Sequence, residues 1–558
     1  MVEFRTLAEL GESLEATRSR KSLAALVAEY LRSLSSDEVA PAAQMIIGRV
    51  FPEREGRPLN LSGAAVSRVV KQVVQTSQRK RQTFAREAVD FGQSVQMMFE
   101  AGHRLAPLGA PLSVLEVWRA FQEIGSASGA GSRRRKDDVL RTLLERSTAV
   151  EAKYIVKLAV GEMRHGVSEG LLLDGIALAA DLPRTMVHRA NMLLGDLGQV
   201  AQMALCNGRE ALDGIQAQPG RPLKPMLAQT AASVQEAYNL LDSRLALEYK
   251  LDGARVQIHR AGARVWLFSR HLSDLTSSLP EVHNEVLEGL AATVAIVEGE
   301  VIAIDEDERP LPFQRLMRRL GRVRDIEQAR KQVPVKLFLF DLLYAEDRMW
   351  IDEPYEKRVE ALREVSGDLA LVQRTVPSSL SQGERFLQAA REDGHEGLMA
   401  KSLDSPYVPG VRGRHWLKIK PVVTLDLVIV AADWGYGRRH GWLSNYHLAA
   451  RDGRTGQLLE VGKTFKGPTD KEFQEMTDRL LAIKTAESGG TVSVRPEVVV
   501  EVAFNNIQDS PKYESGMALR FARIVRVRAD KTVEEADTIQ TMQRLQSRGR
   551  AASRAARD

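Results

Sequence analysis

The chain has 558 residues, a hydrophobic share of 44% and a mean hydropathy of −0.24, which describes globular domains, about three or four by length. Its 78 basic residues nearly balance 73 acidic ones, leaving a formal charge of +5 and a pI of about 9.1, so any affinity for nucleic acid has to come from local patches. The single cysteine, Cys206, excludes intrachain disulfides and cysteine-rich zinc sites, and no segment offers roughly 18 uninterrupted apolar residues to span a membrane. Met1 to Arg20 lacks the apolar core of a signal peptide, so the chain is expected in the cytoplasm.

Residues 1–205 read as helical. Leu23, Leu26, Val27, Tyr30, Leu31 and Leu34 recur at helix spacing, and Ser35 with Glu38 forms a capping box ahead of Pro41. Gly125 to Gly131 is a small-residue loop followed by Ser132-Arg133-Arg134-Arg135-Lys136 and an apolar-periodic helix. That run either presents four cations and backbone amides to phosphates or is a solvated charged face. The polar, Pro- and Gly-punctuated stretch from Asn207 to Pro225 reads as a linker. From there to Pro421 strands alternate with helices, the longest helical pattern lying near Phe313 to Lys331. Beyond Pro421, Leu425 to Ala431, Tyr446 to Arg451, Leu458 to Lys463 and Val498 to Phe504 read as short strands of a five-stranded OB-type barrel. The tail from Ser547, with Arg548, Arg550, Arg554 and Arg557, is expected to be disordered. The expected organisation is an all-α region over 1–205, a linker over 206–221, an α+β domain over 222–420, a β-barrel over 421–540 and a basic tail over 541–558.

The chemistry concentrates in Glu248-Tyr249-Lys250-Leu251-Asp252-Gly253-Ala254-Arg255. Leu245 to Tyr249 reads as one strand and Arg255 to Arg260 as the next, ending at the Ala261-Gly262 turn, which places Lys250 on a loop between strands. A lysine amine attacks phosphorus only when neutral, so cations such as Arg255, Arg270 or a bound metal have to depress its affinity for the proton and hold phosphates. Asp252 reads as structural or as acting through a metal. The alternative is a surface lysine near a hairpin.

Seven further elements follow in order: Phe268-Ser269-Arg270-His271-Leu272 with Asp274-Leu275-Thr276, Val297 to Ala303, Phe338 to Tyr344, Glu396-Gly397-Leu398-Met399-Ala400-Lys401, Trp416-Leu417-Lys418-Ile419-Lys420, Leu519-Arg520-Phe521-Ala522-Arg523, and Arg528-Ala529-Asp530-Lys531. In that order the chain from about Pro222 to about Asp537 resembles the nucleotidyltransferase superfamily of DNA ligases, RNA ligases and mRNA capping enzymes. Within it the chain is most similar to ATP-dependent DNA ligases. The resemblance implies Lys250 as the covalent nucleophile, nucleotide contacts from Glu248, Arg255, Arg270, Glu300, Phe340, Arg414, Lys418 and Lys420, and metal contacts from Glu300 and Glu396.

The residues agree with those roles. Glu300 lies in an alternating strand, where a carboxylate can accept ribose hydroxyls or bind a hard cation. Phe340 can pack in the core or stack on a purine. Glu396 follows the Asp393-Gly394 turn, and Lys401 is expected as a phosphate-binding ammonium facing the same site. Lys418 and Lys420 share a strand face by period two, and Arg412 competes with Arg414 for the same contact.

The region 1–205 resembles the helical DNA-binding domain of replicative-type ligases, including Gly161-Glu162-Met163-Arg164-His165-Gly166, which capping enzymes and small RNA ligases generally lack. The resemblance therefore implies a Mg²⁺-dependent enzyme that seals nicked double-stranded DNA with ATP in replication, recombination or repair, acting as a monomer at the nucleoid. NAD-dependent ligases usually carry a four-cysteine zinc module, which Cys206 alone cannot supply. The family's Leu-Arg-Phe-Pro-Arg reads here with Ala522 in place of proline. Arg520, Arg523, Arg528 and Lys531 are expected within one strand-like segment that closes over the triphosphate, and Gly435 to Gly441 reads as a basic loop touching DNA. An RNA-end ligase or guanylyltransferase is the rival enzyme, and a non-catalytic DNA-binding protein the rival of another class.

Overall fold

The computed structural model describes residues 1–102, 109–242, 244–317, 319–320, 325–408, 412–420, 423–436 and 439–555, with the backbone alone at 54, 412–414 and 548–555. These divide into two compact units, one holding residues 1–50, 58–175 and 422–552 and the other residues 51–57 and 176–421. No helix among the described residues is long and apolar enough to cross a membrane.

In the first unit the helical reading holds. Arg20–Arg32 buries Leu23, Val27 and Leu31, and the capping box at Ser35 and Glu38 opens Ser36–Ile46 with Pro41 inside it. The basic run begins helix Ser132–Arg146 behind a left-handed Gly131 at φ 80°. Arg133 and Arg134 are exposed, and Arg135 pairs with Glu123 at 2.9 Å. Lys136 turns inward, 7% exposed, and donates to the Leu59 carbonyl at 2.8 Å, because it falls on the apolar face with Leu140 and Leu143. The expected four-cation face is therefore a three-arginine face.

The β part of the same unit is a six-stranded sheet in the order Leu458–Thr464, Leu443–Arg451, Val423–Trp434, Thr491–Phe504, Lys484–Ser488, with Arg523–Val527 pairing the far end of Thr491–Phe504. Helix Asp470–Ala482 inserts Phe473 and Leu480 into the core formed by Leu427, Leu448, Val461 and Val500. The expected single segment from Arg520 to Lys531 is broken. Strand Met517–Arg520 ends at Phe521, whose φ of 57° is a conformation an aromatic residue rarely adopts, and a new strand starts at Arg523. Ala522 is buried and its carbonyl accepts the Thr464 hydroxyl at 2.6 Å, so the missing proline is replaced by a buried turn residue. Helix Ile539–Ala555 begins ahead of the expected tail, with Ile539 and Met542 of its first turn in the core.

The second unit contains two five-stranded sheets. The first has the order Leu227–Ala231, Arg412–Ile419, Gly397–Ser402, Leu245–Lys250, Arg374–Thr375; the second has Arg264–Ser269, Ala254–Ala261, Val294–Ala303, Val335–Ala345, Arg348–Met349. Leu245, Leu247 and Tyr249 of the first share a core with Ile302, Phe338 and Phe340 of the second. The expected long helix near Phe313 is two short ones, Phe313–Met317 and Ile326–Gln332. The presumed linker is only partly irregular, since Gly208–Asp213 is helical and the following residues dock on strand Ala254–Ala261. Gln257 accepts the Leu223 amide at 2.7 Å and donates to the Leu223 carbonyl at 3.2 Å, which satisfies a buried amide side chain.

His259 makes that docking sensitive to acid. Its Nδ1 accepts the Gly220 amide at 3.1 Å while Nε2–H donates to Gln257 at 2.9 Å, so only the neutral ring fits. Burial pushes His259 down to about 3, and burial pushes His165 down to about 4. Both values lie below that of an unfolded histidine, so the unfolded chain takes the protons first. The associated stability is complete above about pH 6.5 and is lost as pH falls toward the folded values. Thermal melts from pH 8 to pH 5 are expected to show a falling midpoint below pH 6.5, with a weaker fall in His259→Gln. An unchanged pH dependence in that variant would contradict the assignment.

Candidate active site

Lys250 is the last residue of strand Leu245–Lys250, in the first sheet, and the chain crosses through Leu251, Asp252 and Gly253 into strand Ala254–Ala261 of the second. The lysine thus stands where the two sheets diverge. A Cβ at Gly253 would lie 2.4 Å from the Val301 carbonyl oxygen and 2.9 Å from the Glu300 side chain, so only glycine lets the crossover run against the strand that carries Glu300. On the other side Lys250 pairs in register with Gly397, whose φ of 145° and 2.2 Å approach of a Cβ to the Ile419 carbonyl likewise demand glycine. That pairing brings Glu396 beside Lys250: its amide donates to the Lys250 carbonyl at 3.0 Å.

The side chains converge there. Lys250 Nζ forms an ion pair with Glu396 Oε2, and Lys420 Nζ takes Glu396 Oε1 at 2.7 Å. Burial alone would raise the Glu396 carboxyl, but Lys250 and Lys420 outweigh it and hold it below the ordinary range. Burial pushes Glu300 up to about 7, with Glu396 and Asp252 adding to the rise against Lys250 and Arg255. Asp252 is raised by burial and accepts the Phe313 amide at 3.2 Å, in keeping with a structural role. A cation added near Glu300 and Asp252 would favour their ionised forms, which burial opposes.

The nucleotide contacts expected from the sequence divide. Glu300 and Arg255 are partners in register, and Phe340 stands on the neighbouring strand. Arg255 is not available to phosphates as expected: it is committed to the buried Glu298, donates to the Met226 carbonyl at 2.7 Å and meets the Tyr407 hydroxyl at 3.1 Å. A guanidinium enclosed on one edge by a carboxylate is a bracket between strands, and here it lies 5.4 Å from the Phe340 ring. Leu417 and Ile419 point into the core, so Lys418 and Lys420 share the opposite face as expected. Arg270 is exposed on the turn after Ser269. The side chains of Arg412 and Arg414 lie outside the described residues.

Lys401 is the clearest correction. Instead of reaching phosphate it is 1% exposed, pairs with the 3% exposed Glu248 at 2.6 Å and donates to the Phe340 carbonyl at 3.2 Å. It alternates to the face opposite Leu398 and Ala400, which puts it under the Phe340 and Trp416 rings. Tyr355, which no local sequence signal marks, donates its hydroxyl to Glu248 from helix Tyr355–Val365. Glu298 could have been suspected, since it sits two residues from Glu300 on one strand. Beside these groups a cavity of about 260 Å³ is lined by Glu248, Leu339, Phe340, Leu371, Gln373 and Arg374. Trp416 Nε1 and Arg374 Nε are buried without a partner among the described residues, polar capacity that a bound base or ribose can use. A larger cavity of about 350 Å³, near Gln199, Met203 and Arg221, contains none of this chemistry.

Comparison with known proteins gives three family matches along the chain: DNA ligase N terminus over residues 3–177, ATP dependent DNA ligase domain over 225–420, and ATP dependent DNA ligase C terminal region over 439–531. DNA ligase 1 of Korarchaeum cryptofilum is 43% identical over 97% of this chain and 98% of its own length. DNA ligase of Thermococcus onnurineus is 39% identical over 98% of each. Among solved structures, Pmar-Lig_Pre covers 94% of this chain and 99% of its own, with a TM-score of 0.57 at 17% identity, a likeness of fold.

Proposed function

Since the chain belongs to the ATP-dependent DNA ligase family and so seals nicks in DNA, we propose that Lys250 carries AMP between ATP and the 5′-phosphate at the nick. The observation that supports this most is the convergence of Lys250, Glu396 and Lys420 at the point where the two sheets diverge. Lys250 Nζ attacks the α-phosphorus of ATP, the bond to pyrophosphate breaks, AMP passes to the 5′-phosphate, and the 3′-hydroxyl displaces AMP to form the phosphodiester. Alignment of attacking and leaving atoms and neutralisation of charge do most of the work. Lys420 and Lys418, on one strand face, hold phosphate oxygens. Glu396 keeps Lys250 in position but has to release it, because attack needs the nitrogen lone pair.

Glu300 and Glu396 are the residues that would hold Mg²⁺. Mg²⁺ is usually bound by one or two carboxylates together with substrate phosphates and water. When bound, Mg²⁺ supplies charge neutralisation at the transferring phosphate. Glu248 accepts the exocyclic amine of adenine, and Phe340 stacks on the ring. The protein acts as a monomer at the nucleoid.

The exposed Arg133 and Arg134 at the start of helix Ser132–Arg146 contact the duplex backbone. Replacing both with alanine is expected to weaken nicked-duplex binding about equally for all sequences and to reduce the slope of log K against log salt by about 2, leaving self-adenylation intact. Unchanged affinity would assign the run to solvent. The overall reading is tested by comparing sealing of nicked DNA and nicked RNA with ATP and with GTP. Preference for nicked RNA or for GTP would overturn it.

A further inference from the structure

We propose that Lys401 sets the base specificity of the nucleotide pocket by holding Glu248 as a hydrogen-bond acceptor. This rests on the reading above that Glu248 and Phe340 meet the purine.

The Lys401 ammonium is enclosed by three rings, 4.4 Å from the centroid of Trp416, 4.6 Å from Phe340 and 4.7 Å from Tyr355. Within that cage its polar contacts are Glu248 Oε2 at 2.6 Å and the Phe340 carbonyl at 3.2 Å. Burial weakens the hold of the Lys401 amine on its proton, and the Glu248 carboxylate and the surrounding rings act against that loss. The other oxygen of Glu248 receives the Tyr355 hydroxyl.

The charged groups around Glu248 decide what Lys401 does. From strand Gly397–Ser402 comes Lys401, from Arg374–Thr375 comes Arg374, and from Val335–Ala345 comes Asp341, which Arg358 of helix Tyr355–Val365 holds at 2.8 Å. Burial raises the Glu248 carboxyl above its ordinary range and Asp341 adds to the rise, while Lys401 first and Arg374 after it pull against them. Lys401 is the one of these cations in direct ion-paired contact with Glu248. Without it the buried carboxyl retains a proton and becomes a donor.

That change reverses what the pocket reads. Adenine offers an amine at the position where guanine offers an oxygen, so an ionised Glu248 selects adenine and a protonated one tolerates guanine. Lys401 thus belongs to base recognition as a positioning residue, one step removed from the nucleotide.

The test is single-turnover self-adenylation of the full chain with ATP and with GTP across pH. Lys401→Met is expected to raise KM for ATP more than it lowers kcat and to reduce the preference for ATP over GTP by about 10- to 100-fold. Raising the pH is expected to restore much of that preference as Glu248 ionises, and Lys401→Arg is expected to keep it at neutral pH. Lys401→Met with weakened ATP use but an unaltered ATP-to-GTP ratio would overturn the proposal. Glu248→Gln separates the two levels: if it leaves the ratio unaltered, the reading of Glu248 as the base contact fails; if it relaxes the ratio and Lys401→Met does not, only the role of Lys401 fails. Should Lys401→Met not fold, Tyr355→Phe removes the other donor to Glu248. A smaller shift of the ratio in the same direction supports the proposal, and no shift contradicts it.

Discussion

Incubation with ATP and Mg²⁺ is expected to leave one AMP on Lys250, and Lys250→Ala is expected to carry none and to lose nick sealing by at least about 10⁴-fold. The size follows from the chemistry. Without a covalent carrier, the transfer from ATP has no intermediate through which two easier displacements can replace one difficult one. The site also contains a second amine that makes the experiment discriminating: Lys420 Nζ lies 2.7 Å from the same Glu396 that holds Lys250. Intact mass detects the adduct, and peptide mapping locates it. An adduct that persists in Lys250→Ala would move the nucleophile to Lys420, whereas Lys420→Ala should slow adduct formation without relocating it.

Replacing Arg528 and Lys531 together with alanine is expected to slow self-adenylation by about 100-fold or more while sealing of a pre-adenylated nick changes only a few-fold. Only the first transfer expels pyrophosphate, and cations at the leaving phosphates serve that step alone. In the structure these cations are held on the barrel. Arg528 Nη1 donates to both oxygens of Asp426 at 3.0 and 2.9 Å, Lys531 Nζ reaches Asp426 at 2.6 Å, and Asp530 takes another edge of the guanidinium at 2.8 Å. Asp426 is 7% exposed, so the double variant leaves a buried carboxylate without partners and costs stability by a separate route. Adding Asp426→Asn to that variant removes the buried charge. Thermal stability should then recover while self-adenylation stays slow. Equal loss of both reactions, or recovery of self-adenylation with stability, would show that the segment serves folding.

Within the fold, the elements that depend on neighbours in the chain were legible from the sequence. The capping box at Ser35 and Glu38, the strands on either side of Lys250, and the shared face of Lys418 and Lys420 follow from local pattern, and the structure has each of them, although Gln257 and His259 are buried where alternation would have exposed them. The ordered motifs marked Lys250 and Glu396 separately, with Lys401 expected as the partner of Glu396; the pairing of strands Leu245–Lys250 and Gly397–Ser402 brings Lys250 to Glu396 instead. What misled was side-chain allegiance. Lys136 reads as one cation in a run of four, yet an inward turn of the helix commits it to the Leu59 carbonyl. Arg255 reads as a phosphate ligand, yet the neighbouring strand presents Glu298 to it.

The sequence by itself therefore determined the family and most of the strand and helix pattern, and it singled out Lys250 as the candidate nucleophile, because secondary structure follows local pattern and covalent phosphoryl chemistry needs particular residue types at short spacings. The tertiary structure alone decided which charges neutralise one another. Glu248 and Lys401 meet only because strands Leu245–Lys250 and Gly397–Ser402 are neighbours in the first sheet, and Tyr355 joins them from a helix elsewhere in the chain. Docking of residues Gly220 and Leu223 on His259 and Gln257 has the same origin. A buried polar group has to be satisfied by whatever the fold brings within reach, and that partner is set by sheet order, which spacing along the chain does not encode.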